Sequence, residues 1–145
     1  MMDDLYLIAT VAGQSVAIRA STVESVVEVG AVTTVPLAPP HVAGMTALRS
    51  RVLTVISCEV SLGLPQTVRV GGRAVVVGVD GHNYALLVGS IEDVRVIDQP
   101  PQPIRGRLEA GWARVAIGMI ENEGEAVLLI DPDRIVAGPD EAMAA

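Results

Sequence analysis

The sequence has no phenylalanine and no lysine, and only one tryptophan, two tyrosines and one cysteine. Each shortage excludes something. Aromatic residues are 2% of the 145, so the core has to be aliphatic. A lone Cys58 excludes an internal disulfide framework and a cysteine-based zinc site. All ten basic side chains are arginine, 17 side chains are acidic, and the net charge is −7. A chain of that balance without a basic stripe is a poor ligand for nucleic acid or for anionic membrane surfaces. No stretch reaches the roughly 18 uncharged apolar residues of a membrane-spanning helix. The opening MMDDLYLIATVAG lacks the positive segment of a signal peptide, so a cytoplasmic protein is expected.

What the chain does have is valine: 24 copies, with 10 isoleucines beside them. β-branched side chains favour strands. Half of all residues are hydrophobic, which argues against disorder. The length is that of one domain, residues 1–145, with an ordered core over about 5–137.

Turn residues divide the chain into short pieces. Strands are expected at 5–11, 16–19, 51–60, 66–70, 73–79, 84–88, 91–97, 115–120 and 125–130, with tight turns at Gly13-Gln14, Gly71-Gly72, Asp80-Gly81 and Glu121–Gly124. Ser21 followed by Glu24 reads as a capping box. It predicts a short helix with Val23, Val26 and Val27 on one face and Gly30 at its end. Prolines 36, 39 and 40 make 31–40 extended. PPQP at 100–103 is a loop, and 104–114 reads as irregular and polar. Asp131-Pro132 caps a last helix over 132–137, stopped by Gly138-Pro139, and the tail 138–145 is expected to be flexible. Nine or ten short strands and two short helices point to barrels or sandwiches. Gly44-Met45 before VLTVIS and Gly118-Met119 before VLLID form an internal echo, as a duplicated barrel unit would.

Catalytic constellations are nearly absent. His41 and His82 have no second ligand at metal spacing and read as solvated loop histidines. Cys58 reads as a small core or interface residue within a strand. Glu121, Glu123 and Glu125 crowd a hairpin tip, where carboxylates are normally solvated. No phosphate-binding glycine loop is present. Alternation along a strand would place Arg49 and Arg51 on one face, either guarding a sheet edge or anchoring a protein contact. Residue chemistry alone describes a binding module. A protein–protein adaptor, a small-ligand or enzymatic barrel and a homo-oligomeric structural protein stay open at this level.

The order of segments adds a resemblance. LYLIATVAGQSVAIRASTVESVVEV, then VPLAPPHVAGMTALRSRVLTVISCEVSLGL, then VVVGVDGHNYALLVGSIEDVRVI and GMIENEGEAVLLIDPDRIV resemble, in this order, the CheW family of chemotaxis coupling proteins. The resemblance spans about residues 5–137. It implies two intertwined SH3-like β-barrel subdomains, one at roughly 20–75 and the other at 76–137 plus the N-terminal strand. It implies no catalytic activity and no cofactor. The implied partners are a CheA-type histidine kinase, through its regulatory domain, and the cytoplasmic hairpin of a methyl-accepting chemoreceptor. The implied location is the cytoplasm, at membrane-associated receptor arrays. By position, Arg49 matches the arginine of the family's N-L-R-G pattern and Val23 an apolar residue facing the receptor. Gly44 and Leu48 match the scaffold of that segment, and Val26 joins them in an implied receptor groove that would accept a helix. Ala47 and Ser50 depart from the Asn and Gly of that pattern. Thr54 and Ser57 depart from the Pro and Asp of the next strand, and Ser25 from a frequent acidic residue. Such departures fit a divergent member serving a pilus or surface-motility pathway.

Overall fold

The computed structural model describes residues 5–67 and 72–139. In chain order the elements are β1 (Leu5–Val11), β2 (Gln14–Arg19), β3 (Val23–Glu28), β4 (Val42–Leu48), β5 (Arg51–Ser57), α1 (Cys58–Ser61), β6 (Arg73–Val79), β7 (His82–Leu87), β8 (Ser90–Val96), α2 (Ala110–Val115), β9 (Ala116–Asn122), β10 (Glu125–Ile130) and α3 (Pro132–Ala137). The fold is mostly β. The strands form two five-stranded sheets, ordered β8-β1-β2-β10-β9 and β3-β6-β7-β5-β4. Both strands of the β6–β7 hairpin stay in the second sheet, which therefore runs past the expected division at 75/76 to Leu87.

The two sheets repeat one plan. Each holds a hairpin (β1–β2 or β6–β7) whose second strand pairs in parallel with a strand from another hairpin (β10 or β5). The repeat extends to single hydrogen bonds. Ser57 ends β5 and its N–H donates to His41 O at 2.8 Å, while Asp131 follows β10 and donates to Val115 O at 2.9 Å. Met45 on β4 bridges Thr33, and Met119 on β9 bridges Gln102. The echo around Gly44 and Gly118 is thus a structural duplication. Gly44 pairs with Val55 and Gly118 with Leu129, which aligns Leu53, rather than Val52, with Val127.

Burial explains why the strands read as apolar runs instead of clean alternation. Val75 and Val77 of β6 face a core shared between the sheets, with Leu7, Ile18, Ile56 and Leu86. Ala74 and Val76 face the other way, into a small core inside the second sheet with Leu53 and Val55. The first sheet has its own counterpart around Tyr6, Ile8 and Leu129. A strand covered on both faces needs apolar residues at every position.

Several expectations change. The helix after Ser21 does not form. Ala20–Thr22 makes one 3-10 turn without a side-chain cap, and Val23–Glu28 is strand β3, paired with β6. Its β-branched residues gain more from the ladder than from a short, weakly propagating helix. The strand expected over 51–60 stops at Ser57, whose Oγ accepts from Val60 N and caps α1. Cys58 is therefore the first residue of a helix, and burial pushes its thiol up to about 12. Residues 110–115 form α2, with Gly111 lying so close to Leu62 that no side chain would fit. His41 is buried, and its Nε2 lies 2.8 Å from Val136 O at the end of α3. His82 does lie exposed beside its turn. Of the strand expected at 66–70, residues 66 and 67 are irregular and 68–70 lie outside the described residues, as do Gly71 and the tail from 140.

Candidate functional site

β4 and β5 are joined by a two-residue turn, Arg49-Ser50, with φ of 49° and 68°. Three other hairpins use the same left-handed pair but place glycine second: Ala12-Gly13, Asp80-Gly81 and Glu123-Gly124. The right-handed twist of paired strands demands this turn type, and glycine adopts it without strain. Serine does not, so the Arg49-Ser50 turn stores about 1 kcal/mol that its counterparts avoid. The turn also means that Arg49 and Arg51 do not share a strand face, as alternation had suggested.

The two arginines have different surroundings. Arg51 Nη1 donates to Glu24 Oε1 at 2.8 Å. The Asn83 amide, turned with its nitrogen toward Glu24, donates to Oε2 at 2.8 Å and accepts from Arg51. This ladder joins β3, β7 and β5 across the sheet. The hydrogen bond to Glu24, then its charge, raises the Arg51 pKa. Both side chains are about half exposed, so the pair adds little stability. Arg49 has no carboxylate partner among the described residues and stands exposed.

Beside Arg49 lies an open cleft of about 430 Å³. One wall is β3 from Ser25 to Glu28, the other is the β4–β5 tip with Leu48 and Arg49, and Leu53 and Val76 lie below. A second cleft of about 230 Å³, walled by residues 27–31 and 45–48, prolongs it.

The five residues singled out from the sequence separate here. Val26, Leu48 and Arg49 line the cleft together. Val23 packs against the core shared by the sheets. Gly44 has φ of 148° and lies under Thr33, whose carbonyl oxygen would collide with any Cβ. Glu24 and Asn83 were missed as partners of Arg51, because Glu24 was assigned to a helix cap. Finding them needs the strand order β3-β6-β7-β5 as well as the reading of 23–28 as a strand.

No helix among the described residues is long and apolar enough to cross a membrane. No group of metal-ligating side chains occurs among them. The comparisons with known proteins agree with this architecture. No curated protein matches the chain. Among solved structures, it is similar to the scaffolding protein TtCheW from Thermoanaerobacter tengcongensis, with a TM-score of 0.76 and 19% identity over 90% of each chain. At that identity the likeness speaks for the fold. The family model described as the CheW-like domain matches residues 5–139. The chain belongs to the CheW-like domain family.

Proposed function

We propose that this protein is a non-enzymatic adaptor that couples the cytoplasmic tips of chemoreceptors to a CheA-type histidine kinase. The observation that carries the reading is the family match over nearly the whole fold, residues 5–139. The cleft supports it: an unpaired arginine beside apolar residues is the usual make-up of an interface anchor. In this reading Val26, Leu48 and Arg49 touch the receptor, with Val23 and Gly44 holding their strands in place. The adaptor works in the cytoplasm at receptor arrays and holds receptor and kinase in a fixed relation. The departures at Ser25, Ala47, Ser50, Thr54 and Ser57 favour a divergent pathway, such as pilus or surface motility, over the common flagellar one.

The test is a calorimetric titration against the regulatory domain of the kinase and, separately, a receptor hairpin fragment. Saturable binding, roughly micromolar, supports the reading. Arg49→Glu is expected to weaken receptor binding by about a hundredfold while the melting temperature moves by only a few degrees. An absence of binding to both partners at high concentration refutes the coupling role.

A further inference from the structure

Ser25, Val26, Val27 and Glu28 are consecutive, yet all four line one cleft. Successive side chains of a strand point to opposite faces. A cleft reached from both faces lies along the strand's edge, so the open side of β3 borders it. The same holds opposite, where Met45, Thr46, Ala47 and Leu48 line the continuation of the cleft. β3 and β4 are the two outer strands of their sheet. The cleft is the gap between these two edges.

The hydrogen bonds show which backbone groups face it. Val29 N–H donates to Gly72 O at 2.9 Å, toward β6. Val27 pairs with Ala74 in the same register, so Val26 and Glu28 between and beside them turn their N–H and C=O outward. On β4, Met45 exchanges two bonds with Thr33, at 2.8 Å each. Ala47, two residues on, points the same way, and Thr33 does not reach it. Val26, Glu28 and Ala47 are all exposed.

We infer that the seam between β3 and β4 accepts an extended segment of a partner protein, which adds to the sheet as a further strand and places an acidic side chain on Arg49. The inference rests on reading the cleft as a partner-docking surface. A helix satisfies its own backbone and would leave these edge groups to water, whereas an extended chain pairs with them. Charge selects the occupant further. Among the described residues, Arg51 is occupied by Glu24, Arg49 has no carboxylate partner, and Glu28 is the one carboxylate lining the cleft. The segment therefore carries a carboxylate at the Arg49 end and none against Glu28. Its apolar side chains lie against Val26 and Leu48, the accessible apolar residues of the cleft.

Two capped pentapeptides test this: Asp-Val-Thr-Val-Thr and Thr-Val-Thr-Val-Asp, since the seam does not select a strand direction. Amide exchange of the full chain is followed by NMR with each peptide. One of them is expected to slow exchange of Val26, Glu28 and Ala47 by at least about tenfold. Methylating that peptide's edge-facing nitrogens is expected to weaken binding by at least about tenfold. Ala47→Pro removes one outward N–H at a position where an edge strand tolerates proline, and has the same expected effect. Arg49→Glu, which leaves the backbone intact, provides a second route to that loss. Unchanged exchange at all three amides with both peptides at millimolar concentration overturns the inference. If the kinase domain or receptor fragment binds wild type and Ala47→Pro equally, and the three amides stay fast, strand addition fails while the adaptor reading stands. If neither protein binds but a peptide does, the adaptor reading fails and the strand acceptor stands.

Discussion

The two sheets share an order, a parallel pairing and a capped helix directly after the strand that joins that pairing, β5 or β10, but they treat their open seams differently. In the first sheet the linker carries Pro100, Pro101 and Pro103 along β9, and the adjoining groove of about 470 Å³ is lined by Pro100 and Pro103 with Gln99, Arg105 and Glu121. In the second sheet the linker bonds β4 at Met45, and Ala31 O accepts from Thr46 Oγ1 at 2.8 Å, while Ala47 stays exposed. Its hairpin tip carries Arg49-Ser50 where the first sheet has Glu123-Gly124. Duplication thus supplied one frame twice, and the linkers and turns gave the two seams different linings.

Paired substitutions sharpen that contrast. The largest effect is expected at the glycines beneath the linker bridges. Gly44 combines φ of 148° with a backbone oxygen in the way of a side chain. At Gly118 a Cβ would lie 3.3 Å from Gln102 O and Pro101 Cβ, where a small shift of the proline strap makes room. Gly44→Ala should cost about 3 kcal/mol or more, and Gly118→Ala about 1 kcal/mol, by urea unfolding. Equal losses would mean that the two bridges are equally rigid.

The helix caps come next. Ser57 Oγ accepts from Val60 N, and Asp131 Oδ1 from Asp133 N at 3.0 Å. Ser57→Ala and Asp131→Ala should each cost about 1 kcal/mol. A loss at one site alone would show that the duplicated hydrogen bond has kept its worth in one copy only.

The smallest effect concerns the turns. Ser50→Gly should stabilise the protein by somewhat under about 1 kcal/mol, and Gly124→Ser should destabilise it by a similar amount. A Ser50→Gly variant that loses stability would show that the Arg49-Ser50 turn is held by contacts beyond its own backbone.

The same contrast separates what could be read from the sequence. Turns ending in glycine were legible, because Asp80-Gly81 needs no distant partner to be a turn. So was α3, whose Asp131-Pro132 start is local chemistry. β3 was not: Ser21 and Glu24 carry a helix-start signal, and what overrides it is β6, some fifty residues away in the chain. α1 was hidden because Ser57-Cys58-Glu59-Val60 continues an apolar strand without a break, and only the close pairing of Ser57 with His41 turns the chain there. His41 looked like a loop residue because its acceptor, Val136, lies at the other end of the sequence. At the site, Arg49 was legible as an unusual residue in its place. The free edges beside it were not, since an edge is defined by the strand that is missing.

The parallel pairing of β2 with β10, Val16 beside Leu128, also sets an order of assembly. The strands of the second sheet are contiguous in the chain, from β3 to β7, and can pair as soon as they have been synthesised. The first hairpin, β1–β2, has to wait for nearly the whole remaining chain before its inner edge is covered. Contacts over such separations form late and leave an unpaired edge open to wrong partners in the meantime. The newborn chain therefore passes through a half-built stage in which the second sheet is formed and the first is not. Its own N-terminal hairpin is the segment most exposed to misassembly until the last strand arrives.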